Sequence, residues 1–156
     1  MMSDTKEFKV QIPTSIVRDN SINAVQFVLL AKLIHGYYLN GSTSLTVPID
    51  HNRLKYYLFI RDNNTLKKHI NMLHEKGYIE EEVKSLPRKS ALNITLKDKC
   101  ITHLNKDGHF TQLKKSVLDQ SIIETVGHIG VRLLYYYKSY INEREPLKQY
   151  CFVAEK

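Results

Sequence analysis

Between Asp62 and Ile79 the chain has little freedom. Leu66, Ile70 and Leu73 recur at i, i+4 and i+7, the spacing of one buried face of a helix. Asp62 or Asn63 suits the N-cap, where a short polar side chain satisfies a free backbone N–H. Gly77, after Lys76, is a stop that tolerates a left-handed backbone. Such a helix needs a surface to bury its stripe against, and the flanking sequence supplies one. Residues 44–49 are strand-prone, with Leu45, Val47 and Ile49 on one face, and Pro48 restricts the strand to a sheet edge. Asp50 caps a helix over 51–58 that turns Leu54 and Leu58 inward, and Ile60 plugs the turn that follows. After Gly77, Tyr78-Ile79 opens a strand, Glu80-Glu81-Glu82 lies on a hairpin stem, and Leu92, Ile94 and Leu96 alternate in a returning strand over 91–96.

The outer face of the 62–76 helix suggests what the arrangement is for. At about 100° per residue, Asn64, Lys68 and Asn71 lie opposite the stripe, Lys67 flanks them on one side, and Thr65 and Met72 on the other. Asn pairs bidentately with adenine, Lys donates to guanine or phosphate, and Thr serves base edge or backbone. Glu75 is the one acid between Asn63 and Lys76. Arg61 and Asn63 stand at the helix N-terminus, where free N–H groups suit a phosphate. The hairpin tip, 84–89, carries Lys84, Arg88 and Lys89 around Pro87, and Arg88 is the residue best placed to enter a minor groove. A plain solvated face and a basic loop are the alternatives.

Residues 65–79, from Thr65-Leu66-Lys67-Lys68 to Gly77-Tyr78-Ile79, resemble the recognition helix and wing entry of winged helix-turn-helix proteins. The likeness takes in MarR-like and GntR-like regulators, plasmid and phage replication initiators, and the N-terminal domain of DnaD-type primosome proteins. It covers 8–97 and implies an α+β, mainly helical fold that binds double-stranded DNA through the 62–76 helix. One departure stands out. The turn in such proteins often reads Leu-Gly-Ile, and here it is Leu58-Phe59-Ile60. A phenylalanine disfavours positive φ, so the turn is expected to change shape or the 51–58 helix to run on.

Upstream, 8–12 alternates apolar and polar residues as a strand or extended arm ending at Pro13. Asp19-Asn20-Ser21 forms a turn, with Ser21 as N-cap of a helix over 22–39. That helix is apolar on most sides, hence central. Tyr37 and Tyr38 read as core or rim packing, and Asn40-Gly41 closes the helix.

Composition adds limits. The 156 residues are 42% apolar, enough for an ordinary core, and they carry a net charge of +7, a field that favours anionic partners. The charge is spread: residues 50–90 hold 9 basic and 6 acidic groups, and 91–156 hold 10 and 7, so a basic face must come from folding. There is no apolar run long enough to span a membrane and no signal-peptide pattern at 1–7, and a cytoplasmic location with Cys100 and Cys151 reduced is expected.

The C-terminal third loosely echoes the N-terminal one. Phe110 and Ser116-Val117-Leu118 parallel Phe8 and Ser15-Ile16-Val17. A helix over 126–142 ends in Ser139-Tyr140-Ile141-Asn142, 102 positions after Tyr37-Tyr38-Leu39-Asn40, and Tyr150-Cys151-Phe152-Val153 resembles Leu45-Thr46-Val47. Residues 98–156 are therefore expected to be either the start of a second winged helix or an extension. In the latter case Val131, Leu133, Leu134, Tyr136, Tyr137 and Tyr140 would form a homodimer interface through 126–142. Asn105-Lys106-Asp107-Gly108 marks the turn between the parts.

No metal-ligand spacing joins the seven histidines and two cysteines, His69 and His74 are five apart, and no phosphate-binding glycine loop occurs, so no cofactor or metal is implied. The expectation is a non-enzymatic, sequence-specific double-stranded DNA-binding protein, an initiator or regulator from a plasmid or phage. Its rival is a winged helix that binds a protein partner of the replication or transcription machinery, which the three glutamates and Met72 favour.

Overall fold

The computed structural model describes residues 8–106 and 108–141. The chain is α+β and mainly helical, with five helices and two small antiparallel sheets among the described residues. β1 (Lys9–Pro13) leads into a single turn, α1 (Thr14–Val17), and then into α2 (Ala24–Leu39). β2 (Thr46–Ile49), α3 (His51–Leu58), α4 (Asn63–Glu75) and β3 (Leu92–Thr95) follow. Two short 3-10 turns, Asp98–Cys100 and Thr102–Leu104, connect to β4 (Phe110–Lys114), and after a further turn α5 (Gln120–Lys138) begins.

α2 is the hub. Phe27, Val28, Leu29, Leu30, Ala31, Leu33 and Ile34 are all essentially inaccessible to water, so the helix is buried on more than one side, as its sequence requires. Its start differs from expectation. Asn23, not Ser21, is the N-cap: its Oδ1 accepts the Gln26 backbone N–H at 2.8 Å, and the Gln26 Oε1 accepts the Asn23 N–H at 3.0 Å. This reciprocal pair satisfies two donors that a helix start leaves open. Ser21 instead donates its amide and hydroxyl to Asp19. Tyr37 is core and Tyr38 packs at its rim.

α3 and α4 pack on α2 through the expected residues. Leu54, Leu58, Leu66, Ile70 and Leu73 are buried, each worth about 1.5–3 kcal/mol by removal from water. Asp50 caps α3 by accepting from the Asn52 and Arg53 amides. The turn into α4 keeps its tight shape in spite of the phenylalanine. Phe59 sits at φ 57°, ψ 37°, the left-handed region that L-residues avoid. α3 does not run on; Phe59 bears the conformation, with its ring edge-on to His128 of α5 at 6.4 Å between centroids.

β2 pairs with β3 from Thr46↔Thr95 to Ile49↔Leu92, and Pro48 faces Asn93 on this edge strand. The hairpin expected after Gly77 is incomplete. Its first strand is reduced to one bridge, Ile79↔Leu96, with Glu80 N–H donating to the Thr95 carbonyl. The Glu81 carboxylate then takes the Thr95 N–H at 2.7 Å in place of a backbone carbonyl. Segment 82–91 forms no strand.

Residues 98–141 share the core of the preceding part. β4 pairs with β1 from Lys9↔Lys114 to Pro13↔Phe110, across about a hundred residues of chain. Tyr135 of α5 is fully buried against Phe27, with ring centroids 5.6 Å apart, and its hydroxyl donates to the Val10 carbonyl. Arg132 donates to the Asp19 and Ile22 carbonyls. α5 starts six residues before the expected 126 and breaks at Gly127 (φ 76°, ψ 169°), a backbone conformation nearly confined to glycine. Of the residues expected at a dimer interface, Val131 is core, Tyr136 and Tyr140 are half-buried, and Leu133, Leu134 and Tyr137 are exposed. The expected turn residue Asp107 and the echoes at 142 and 150–153 lie outside the described residues. Among the described residues, no helix is long and apolar enough to cross a membrane.

Candidate nucleic-acid interface

α4 is held by its inner stripe, which fixes what its outer face presents. Asn64 and Lys68 are exposed there, and Glu75 continues the same face. The other expected contact residues are partly engaged. Thr65 is half-buried at the first turn, and its hydroxyl beside Asp62 is the main cause that holds that exposed carboxyl below its ordinary value. Asn63 is exposed, but its Oδ1 accepts from the Lys55 ammonium at 2.6 Å. Arg61 is exposed in the turn.

Lys67 and Asn71 face the segment that follows Glu82. The Lys67 ammonium donates to the Lys84 carbonyl at 3.2 Å. The Asn71 amide makes two bonds to one residue: Nδ2 donates to the Val83 carbonyl at 2.9 Å, and Oδ1 accepts the Val83 N–H at 2.7 Å. Helical periodicity puts Asn71 opposite the buried stripe, and its side chain is nonetheless committed within the protein. Between α4 and 82–84 runs an open groove of about 860 Å³, lined in part by Asn64, Lys68, Met72 and Lys84.

The basic tip does not stand out as a free hairpin. Leu86 packs on the core, and the His51 Nε2–H donates to the Pro87 carbonyl at 2.6 Å. Segment 83–87 is therefore a strap fastened to α4 at one end and to the first residue of α3 at the other. Arg88 and Lys89 are exposed just past it and line a second cleft, with Pro48 to Asn52 on its far wall. Lys84 thus shares the groove of α4, whereas Arg88 and Lys89 extend the basic surface toward α3.

Two side chains beyond the expected set, Gln26 and His51, hold α4 and the strap respectively. The Gln26 amide donates to His69 Nδ1 at 3.2 Å, which leaves the His69 proton on Nε2. His51 is buried at 7% exposure. Burial is the main cause that lowers the His69 and His128 pKa values; the nearby His128 adds to it for His69, and the Leu58 backbone partly offsets it for His128. Among the described residues, no three His, Cys, Asp or Glu side chains converge as a metal-ligand set. Comparison with protein-family models, with curated proteins and with solved structures gives no match to this chain, so the reading of the interface rests on its geometry and chemistry.

Proposed function

We propose that this chain is a non-enzymatic, cytoplasmic, winged-helix protein that binds double-stranded DNA in a sequence-specific way, as a replication initiator or transcriptional regulator of a plasmid or phage. α4 enters the major groove, Asn64 and Lys68 read base edges, and Lys84, Arg88 and Lys89 meet the flanking backbone. The observation that carries this reading is the exposure of Asn64 and Lys68 on the outer face of a helix whose inner face is locked in the core. A rigid helix with free Asn and Lys ends is what bidentate base recognition needs. Replacement of Asn64 or Lys68 by Ala should cost about 1–3 kcal/mol on the preferred site and relax sequence preference. Loss of Arg88 or Lys89 should weaken all duplexes alike. If the Asn64→Ala protein keeps its affinity and preference, the assignment of α4 as the reading helix fails.

The second reading is a protein-interaction module, and α5 carries the observation in its favour. Beyond the break at Gly127, Ile129, Leu133 and Tyr137 stand at i, i+4 and i+8 along the helix and are between 41% and 68% exposed, a row of large apolar side chains that suits a protein partner. Self-association through this stripe is compatible with DNA binding by α4. Salt separates the two readings, because binding with several phosphate contacts weakens steeply as salt rises.

A further inference from the structure

We infer that Asn71 is a positioning residue for nucleic-acid recognition: it locks the strap to α4, so that Lys84 and the reading residues Asn64 and Lys68 act as one preformed surface. This rests on the DNA-binding reading of α4. The two bonds between the Asn71 amide and Val83 fix the amide's orientation, since the flipped amide would set donor against donor and acceptor against acceptor. Val83 is only 5% exposed, so its N–H and carbonyl have little recourse to water if the amide is removed. The next residue along the chain is Lys84, which lines the groove of α4 and whose carbonyl is held by the Lys67 ammonium. Asn71, together with Lys67, therefore fixes the strap backbone from which the Lys84 side chain extends beside Asn64 and Lys68. The far end of the strap is held independently, by His51 on the Pro87 carbonyl, so Arg88 and Lys89 keep their place when Asn71 is lost.

A charge that is ordered before binding neutralises a phosphate without the entropic cost of fixing a mobile loop. Removal of the amide should then act as though a phosphate contact had been deleted, although the substitution is neutral. A direct base contact by Asn71 would behave differently, relaxing sequence preference while leaving the electrostatic response intact.

The test measures duplex affinity against salt for the full chain and for Asn71→Ala, Lys84→Ala, Arg88→Ala and the corresponding double variants. The expected result is a fall of about 0.9 in the salt slope for Asn71→Ala, the value of one phosphate contact. Lys84→Ala should weaken binding about fivefold in the parent, the upper range for an exposed charged contact, and by less than about twofold once Asn71 is Ala. Arg88→Ala should cost the same in both backgrounds, which separates positioning from general loosening. Asn71→Ser, whose single, shorter-reaching hydroxyl cannot reproduce the paired amide bonds to Val83, should lie between and serves if Asn71→Ala does not fold. An unchanged slope with additive losses in a folded Asn71 variant overturns the inference and leaves the DNA reading standing. Absence of duplex binding by the parent chain at low salt overturns both.

Discussion

Phe59 allows a test in which the sign of the effect decides. Its φ of 57° places a bulky residue in left-handed backbone at the turn between α3 and α4. Comparison of Phe59→Ala with Phe59→Gly isolates that backbone cost, because both variants lose the same ring and the same contact with His128. The alanine retains a left-handed penalty of about 1–2 kcal/mol. The glycine escapes it but loses more chain entropy on folding, about 0.5–1 kcal/mol. The glycine variant should therefore be the more stable of the two by about 0.5–1 kcal/mol, the difference of these terms. Lys68, exposed within α4, is the control: there alanine should win over glycine by about 1 kcal/mol. Urea unfolding with matched m-values gives the comparison directly. An alanine variant at least as stable as the glycine variant would refute the left-handed turn and mean that α3 continues through Phe59.

Three further outcomes follow from the packing. Tyr135→Phe should cost about 0.5–1.5 kcal/mol for its hydrogen bond to Val10, and Tyr135→Ala about 3–5 kcal/mol; unfolding of either should stay a single transition, and a separate transition for the C-terminal part would contradict a shared core. Burial is the main cause that holds His35, His69 and His128 below their ordinary 6.5, so the unfolded chain takes up these protons first. Stability should then fall as pH drops through about 6.5 toward the lower folded values, and a melting temperature that is flat or rising between about pH 7.5 and 5.5 would contradict the burial of these imidazoles. The Asp19 contribution has the same sign but comes later: burial alone would raise its carboxyl, while bonds from Ser21 and Tyr78 and the charge of Arg132 hold it below 3.8, so that part is lost only in stronger acid. For α5, Leu133→Asp should abolish any concentration-dependent rise in mass without lowering the melting temperature, since Leu133 is 41% exposed; a parent chain that stays monomeric at high concentration would remove α5 as a self-association surface.

What the sequence disclosed and what it hid divide along the range of the interactions. The stripe of Leu66, Ile70 and Leu73, the Asp50 cap and the stop at Gly77 are local rules, and each is met in the structure. The Asn23–Gln26 capping box is equally local, but Ser21 two residues earlier is an equally good cap by residue type. Periodicity places Asn71 on the outer face, but its bonds to Val83 depend on the path of a strap that returns past it. The pairing of β1 with β4 and the burial of Tyr135 against Phe27 join residues about a hundred positions apart, beyond the reach of any periodic pattern. Nor does the resemblance between α2 and α5 disclose that the two helices pack against each other. At the candidate site, residue types pointed to Asn64 and Lys68, while only the fold reveals that Lys67, Asn63 and Asn71 have partners within the chain.

The carboxylate that stands in for a missing strand has a consequence for how copies of this protein meet. An open strand edge recruits strands from other molecules through its unpaired N–H and carbonyl groups. On β3 the outward N–H of Thr95 is taken by Glu81 and its carbonyl by Glu80, so an incoming backbone finds that position occupied and flanked by acids. Edge-to-edge growth into ribbons is thereby discouraged at this edge of the sheet.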